Sequence, residues 1–381
     1  MGANPALYGN RARHVPLLAI EPSRRSMIAS LYVHVPFCAN ICDYCDFYST
    51  LNLNFIEPYL QRVQTDIQDQ LHAYSIESIP TVFIGGGTPS ILGPHGIERL
   101  LKSIPFEPDI EVTVEANPES LSYDFLSACH TNGVNRLSVG VQTLNERSLD
   151  AVHRIRTGDI LKKLALVQTV FPDSFSVDLM SGLPFQTVES LCADINTVCS
   201  FNPAHISLYA LTQETQPDNT DYADELYCVG QELLRQSYSQ YEVSNFAKKG
   251  KRCMHNVRYW RMEPWLGVGP SASGTLIDDS TATGVRNSYK ADIEAYIRGE
   301  APLHEPLDYL TLMKETVLMG FRYIDGVDTQ LFSRRFKLTL EQCIPSTLER
   351  WKPYMKDGAL TSKGLLMLNR FLTEAFIELE Q

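Results

Sequence analysis

Short runs of apolar, β-branched residues recur along the chain, separated by longer stretches in which apolar positions return every three or four residues. The runs at Leu31–Phe37, Thr81–Gly85, Glu111–Ala116, Arg136–Gln142, Ser174–Met180 and His205–Leu211 read as strands. Helical patterns lie between them. In Phe55–Tyr74 the apolar positions are Ile56, Leu60, Val63 and Ile67; in Thr187–Phe201 they are Val188, Leu191, Ile195 and Val198. Strands apolar enough to be buried, alternating with helices, predict an α/β fold around a parallel sheet. The number of units fits an open, partial (β/α)6 barrel of parallel strands better than a closed eight-fold one. In such sheets the chemistry gathers at the C-terminal ends of the strands. Each of these strands ends in, or is followed by, an unusual polar or glycine-bearing motif.

Beyond about residue 300 the pattern changes. Leu310–Gly320, Thr329–Phe336 and Leu340–Met355 read as short helices, Ala359–Thr361 as a short strand and Ser362–Glu378 as a final helix. This predicts a small helical, winged-helix-like module. The expected division is a loose tail over residues 1–29, a core over 30–275 and a C-terminal module over 276–381. The loop Gly267–Gly274, GVGPSASG, reads as a glycine-rich turn near the barrel mouth.

The length of 381 residues and the hydrophobic content of 44% suffice for one large domain and a smaller one. The net charge of -12, with no basic face, speaks against nucleic acid as a partner and makes the helical module a packing or lid element rather than a DNA reader. No apolar run approaches the roughly 20 residues of a spanning helix, so membrane contact is at most peripheral. Residues 1–30 carry Arg11, Arg13, Arg24 and Arg25 but no continuous apolar stretch, unlike a secretory signal, and Met27 is a second candidate start. Nine cysteines, an odd number with one tight cluster, fit a reducing, cytoplasmic setting rather than a disulfide framework.

That cluster is the sharpest chemical signal. Leu31–Phe47 reads LYVHVPFCANICDYCDF, placing Cys38, Cys42 and Cys45 on a loop directly after a strand. Three thiolates on one loop can ligate three irons of a 4Fe–4S cubane and leave the fourth iron open. There the amino and carboxylate groups of S-adenosylmethionine can chelate. A zinc site normally wants four ligands in paired spacings, and a redox dithiol would leave one cysteine idle. Cys129, Cys192, Cys199, Cys228 and Cys343 sit in helical surroundings and read as core.

CxxxCxxC with an aromatic beside the last cysteine is the radical SAM signature. The chain from Ser30 to Gly274 resembles the oxygen-independent coproporphyrinogen oxidases and the HemW haem chaperones. The resemblance implies one-electron cleavage of the cofactor to a 5′-deoxyadenosyl radical, fed by a low-potential electron donor. It also implies a set of cofactor-binding residues. Gly85–Pro89 reads GGGTP, matching the family motif that meets the methionyl amino group, with Gly86, Gly87 and Thr88 at its centre. Glu115, Gln142, Asp178 and Ala210 lie at or near successive strand ends, and Arg154 follows the fourth strand. With Tyr32 before the cluster loop and Tyr44 within it, they match the family's cofactor residues in order. Each alone is more often structural: a cap, a turn residue or a surface pair. Whether one or two cofactor molecules bind stays open.

Two features separate the family branches. The oxidases carry a fourth cysteine two places after the third; here Phe47 stands there, in the CDF form of HemW. Tyr241–Trp260 reads YEVSNFAKKGKRCMHNVRYW and resembles the HemW segment around its HNxxY motif, which implies haem binding by His255 and Tyr259. A lone histidine more often is a satisfied polar residue, Cys253 is a rival iron ligand, and the aromatics nearby could equally be core. Family members often carry a histidine where Ser273 stands. The expected function is therefore haem binding, with the cluster and cofactor, and transfer of haem as cargo to haem-accepting proteins. The alternative is oxidative decarboxylation of coproporphyrinogen. No catalytic side chain is assigned.

Overall fold

The computed structural model describes residues 27–211 and 220–381. Six strands, β1 (Ser30–Val35), β2 (Thr81–Gly86), β3 (Glu111–Ala116), β4 (Arg136–Gln142), β5 (Phe175–Ser181) and β6 (His205–Ala210), lie side by side in chain order and all run parallel. They coincide with the six strands expected from the sequence to within one or two residues. The crossovers are α1 (Ile56–Ala73), α2 (Gly93–Lys102), α3 (Tyr123–Thr131), α4 (Glu146–Ala151), α5 (Ile160–Val170) and α6 (Val188–Ser200), followed by α7 (Thr220–Leu234).

Strand side chains alternate faces, and here the two faces differ in kind. Leu31, Val33 and Val35 of β1, Val82 and Ile84 of β2, and Val112 and Val114 of β3 form the main core with Leu60, Val63, Ile67, Leu100 and Phe125 of the surrounding helices. Residues of opposite parity, such as His34, Thr113, Arg136, Ser138, Asp178 and His205, face inward and are largely polar. One face buries the apolar surface that stabilises the fold; the other is left for chemistry.

The sheet is wider than the sequence predicts. Past the six expected strands run β7 (Ser239–Gln240), β8 (Asn245–Ala247), α8 (Met254–Trp260), β9 (Trp265–Val268), β10 (Ser273–Asp278), β11 (Thr283–Ser288), α9 (Ile293–Ile297) and β12 (Leu303–Leu307). The order across the sheet is β12-β11-β10-β9-β1-β2-β3-β4-β5-β6-β8-β7. β9 adds a seventh parallel strand beside β1, whereas β10, β11 and β12 continue antiparallel. The glycine-rich segment expected as a turn is therefore half strand. Only Gly269–Ala272 turns, and Gly267 and Gly274 are glycines because a Cβ on either would strike the backbone of the other hairpin arm. The expected boundary between 275 and 276 falls inside β10. At the other end of the described chain, Met27–Ile28, placed in the expected tail, pairs in parallel with Ile76–Ser78.

The last elements are α10 (Tyr309–Gly320), α11 (Thr329–Phe336), α12 (Leu340–Cys343), α13 (Pro345–Trp351), a hairpin of Met355–Lys356 with Ala359–Leu360, α14 (Ser362–Leu365) and α15 (Leu368–Leu379). They close over a second core containing Val317, Phe321, Phe332, Phe336, Trp351 and Phe371. The helix expected over Leu340–Met355 is broken at Ile344 because the residue before a proline is disfavoured in the α region; its φ and ψ are −136° and 50°. Arg335, buried, ties the module to the sheet domain through Asp279 (2.7 Å) and the Met262 carbonyl (3.1 Å), and braces α10 through Thr316 (3.5 Å).

Candidate cofactor site

The loop that follows β1 carries the three cysteines, and two short backbone bonds set its path: Thr50 N–H to the Pro36 carbonyl (2.6 Å) and Cys38 N–H to the Thr50 carbonyl (3.1 Å). The thiols of Cys38, Cys42 and Cys45 are half-buried and unpaired by disulfides. Burial pushes the Cys38 and Cys45 thiols up, and each also feels the neighbouring sulfurs. Loading with iron must therefore displace protons. Among the described residues no three His, Cys, Asp or Glu side chains already converge on one point. A single-ion cage needs such convergence; a cubane does not, because each cysteine binds a different iron. The surroundings also suit thiolates. The Thr88 hydroxyl lies 3.5 Å from Cys38 Sγ, and Arg154 Nη1 points at Cys42 Sγ from 3.9 Å.

The glycine run at the end of β2 lets this loop approach closely. Gly87 N–H donates to the Val35 carbonyl (2.8 Å) and Thr88 N–H to the Phe37 carbonyl (2.7 Å); a Cβ on Gly87 would sit 2.7 Å from the Phe37 oxygen. Gly86 has φ +104°, and a Cβ there would enter the His34 ring. Its N–H donates to Glu115 Oε2 (3.1 Å). Burial, and then the nearby Asp178 carboxylate, push Glu115 up to about 8. Asp178 is also raised by burial, against hydrogen bonds that include the Ser138 hydroxyl. Two carboxyls sharing a dry face do not ionise together readily, and a cationic ligand would relieve both.

Arg154 is the hub. Its Nη1 donates to Tyr44 Oη (3.2 Å), and its Nη2 donates to Asn117 Oδ1 (3.0 Å) and to the Gly140 carbonyl. Gln142 sits at a register break in β4 with φ +67°, and its amide lies beside the same Gly140. A cavity of about 90 Å³ opens here, lined by Pro118, Gly140, Thr143 and Arg154 among others. Ala210 pairs with Ser181 at the exposed end of β6. Most of the residues expected around the cofactor thus gather at one end of the sheet, whereas Tyr32, expected before the cluster loop, and Asp178, expected near a strand end, lie mid-strand on the same inner face.

Three participants escaped the sequence reading. His34 Nε2 lies 2.8 Å from the Tyr48 carbonyl, so it carries the hydrogen, and Nδ1 accepts from Tyr32 Oη at 2.9 Å. Burial lowers the imidazole to about 4, keeping it neutral. His34 thus joins the cluster loop to Tyr32 and the glycine run. Asp43 and His153 form the second link, with His153 Nδ1 2.9 Å from the Asp43 carboxylate. Asn40 also donates to the His153 carbonyl, and Asp43 N–H to that of Val152 (3.2 Å). The strand position of His34 and its spacing to Cys38 were visible signals; the pairing of Asp43 with His153 was not.

His255 and Tyr259, expected to bind haem, are brought together but turned inward at the opposite end of the sheet. Their helix α8 covers the N-terminal ends of β1, β2 and β3. Its first turn is held by Glu111, whose carboxylate accepts from the N–H groups of Met254 and His255, both at 2.9 Å. His255 Nδ1 lies 2.9 Å from Thr81 Oγ1 and Nε2 2.9 Å from Tyr259 Oη. The ring is 1% exposed, and burial lowers its pKa to about 3. Both nitrogens are engaged by side chains of the protein. Thr81 and the glycine run are separated by the length of β2, roughly 16 Å at about 3.3 Å per residue. Cys253, the rival ligand, is also buried, against Glu111.

Residues 32–198 match the Radical SAM superfamily. Over 379 residues the chain is 34% identical to a protein of Haemophilus influenzae called Heme chaperone HemW, covering 91% of this chain and 98% of that one. It is 35% identical over 380 residues to the Bos taurus protein called Radical S-adenosyl methionine domain-containing protein 1, mitochondrial, covering 92% and 84%. Among solved structures it superposes on the coproporphyrinogen III oxidase HemN of Escherichia coli with a TM-score of 0.74 and 20% identity, over 92% of this chain and 90% of that one; at such identity the likeness speaks for the fold alone. Sustained over nearly the whole of both chains, the similarity to HemW makes this protein a member of the HemW family within the radical SAM superfamily.

Proposed function

We propose that this protein is a HemW-like haem chaperone that holds a 4Fe–4S cluster on Cys38, Cys42 and Cys45, binds S-adenosylmethionine beside it, and passes haem to acceptor proteins in a reducing, cytoplasmic setting. The observation that carries the cofactor reading is the convergence of the cluster loop, the Gly86–Thr88 backbone, Arg154 and the two raised carboxyls toward one end of the sheet. When bound, the cluster supplies one electron to the sulfonium. The protein's own residues orient the ligand. Gly86, Gly87 and Thr88 offer the amino group a backbone edge, Glu115 and Asp178 take up cationic or hydroxyl groups, Arg154 grips a carboxylate, and Tyr32, Tyr44, Gln142 and Ala210 complete the walls. The names of the relatives support the haem reading, as does Phe47, which is 55% exposed where an oxidase would carry a further cysteine. His255 is left out as iron ligand because both its nitrogens are spent.

The test is anaerobic reconstitution with iron and sulfide, followed by three measurements on one sample. Iron content should fall sharply in Cys42→Ala. The EPR signal of the reduced protein should change on adding S-adenosylmethionine. Haem should bind stoichiometrically, with no coproporphyrinogen decarboxylation above background. Turnover of coproporphyrinogen without haem binding would replace the chaperone by the oxidase.

A further inference from the structure

The loop after β5 displays an aromatic ring at a conformational cost that the fold does not recover. Phe185 has φ +61° and is 58% exposed. A bulky residue in the left-handed region is strained, and a ring left in water contributes little burial in return. The loop is nevertheless rigid. The Gln186 amide oxygen accepts from the N–H groups of Gly182 (2.8 Å) and Leu183 (3.3 Å), and its nitrogen donates to the Met180 carbonyl (2.9 Å). Ser148 donates to the Pro184 carbonyl (2.7 Å) and Asn145 to the Phe185 carbonyl (3.3 Å), fixing the loop to α4. From α4, Arg147 lays its guanidinium 4.4 Å from the Phe185 ring centre, and it is paired with no carboxylate among the described residues. Beneath, Leu183 packs with Val152 and Met180, and Tyr44 of the cluster loop leans on the same group. The platform therefore stands at the rim of the cofactor end.

We propose that Phe185 and Arg147 form the docking platform for the tetrapyrrole cargo, a flat apolar ring with carboxylates at its edge. This rests on the haem reading above and gives it a place. The macrocycle face stacks on Phe185, and a propionate pairs with the guanidinium, whose planar fork matches a carboxylate. No axial iron ligand is needed, which suits a carrier that must release its cargo. The exposed Ile41 and Phe47 of the cluster loop widen the apolar rim.

The experiment is absorbance titration of the full-length protein with hemin, with metal-free protoporphyrin IX and with its dimethyl ester. Phe185→Gly removes the ring and relieves the left-handed strain together, so the fold is not weakened; Arg147→Gln removes the charge. Each variant should bind hemin and protoporphyrin about tenfold more weakly, and the ester should bind wild type about tenfold more weakly than the diacid does. S-adenosylmethionine affinity should not change in either variant. If wild type binds both porphyrins and the two variants bind them equally well, the platform is refuted while the haem reading stands. If wild type binds neither, the haem reading fails and the platform falls with it. Loss of S-adenosylmethionine binding in Phe185→Gly would assign the ring to the cofactor instead.

Discussion

His255 Nε2 and Tyr259 Oη lie 2.9 Å apart, one helical turn from each other, and Thr81 closes the other side of the imidazole. With both nitrogens hydrogen-bonded and the ring sealed by Phe83 and Tyr259, the expected role of His255 is packing. His255→Ala should cost about 2–4 kcal/mol, from the cavity and from the orphaned Tyr259 hydroxyl, while Thr81 keeps its bond to Ser30. Urea unfolding measures this, and hemin affinity of the folded variant should stay at the wild-type value. Unaltered stability with lost hemin binding would restore His255 as a ligand.

Gly86 offers a second check. Its φ of +104° and its contact with the His34 ring leave no room for a side chain. Gly86→Ala should destabilise the fold by about 2–4 kcal/mol and lower iron retention, because His34 holds the Tyr48 carbonyl behind the cluster loop. Gly93→Ala is the comparison: its φ and ψ of 65° and −178° also favour glycine, at about 1–3 kcal/mol, but its Cβ would meet open space away from the cluster loop, so iron retention should not fall.

Glu115 gives a signed pH dependence. Its pKa rises from an ordinary value near 4.5 to about 8 on folding. The folded state thus holds a proton that the unfolded state has released between these values. Its contribution to stability is complete below pH 4.5 and is lost as pH rises to 8, at up to about 1.4 kcal/mol per pH unit. Denaturation midpoints of Glu115→Gln, compared with wild type between pH 6 and 8.5, should be flatter. If a cationic amine binds there, binding should release a proton, and calorimetry in buffers of different ionisation enthalpy reads it directly.

His153 departs from its surroundings in having φ +51° while its imidazole meets Asp43. His153→Gly relaxes the backbone and removes an exposed pair worth about 0.2–1 kcal/mol. Unfolding free energy should therefore stay level or rise slightly. Iron loss from the reconstituted protein to a chelator should nonetheless quicken about two- to fivefold, since the pair holds the loop between Cys42 and Cys45. Unchanged iron loss would make the contact incidental.

The local order of this chain was written in its residues. Strands with Leu31, Val33 and Val35 or Val82 and Ile84 on one face have one strongly favoured burial, and CxxxCxxC binds its chemistry to one loop regardless of the rest. The residues proposed to face the cofactor come mostly from successive parallel strands, where topology makes neighbours in sequence order neighbours in space. What sequence could not decide were contacts between distant segments. The seventh parallel strand, Trp265–Val268, is four residues of ordinary pattern, and only pairing with Ser30–Val33 makes it part of the sheet. For His255 the motif records residue types and spacing but not the direction of the ring. The packing of α8 on Glu111, Thr81 and Phe83 turned its ring inward, since burying an imidazole costs little once both nitrogens find partners.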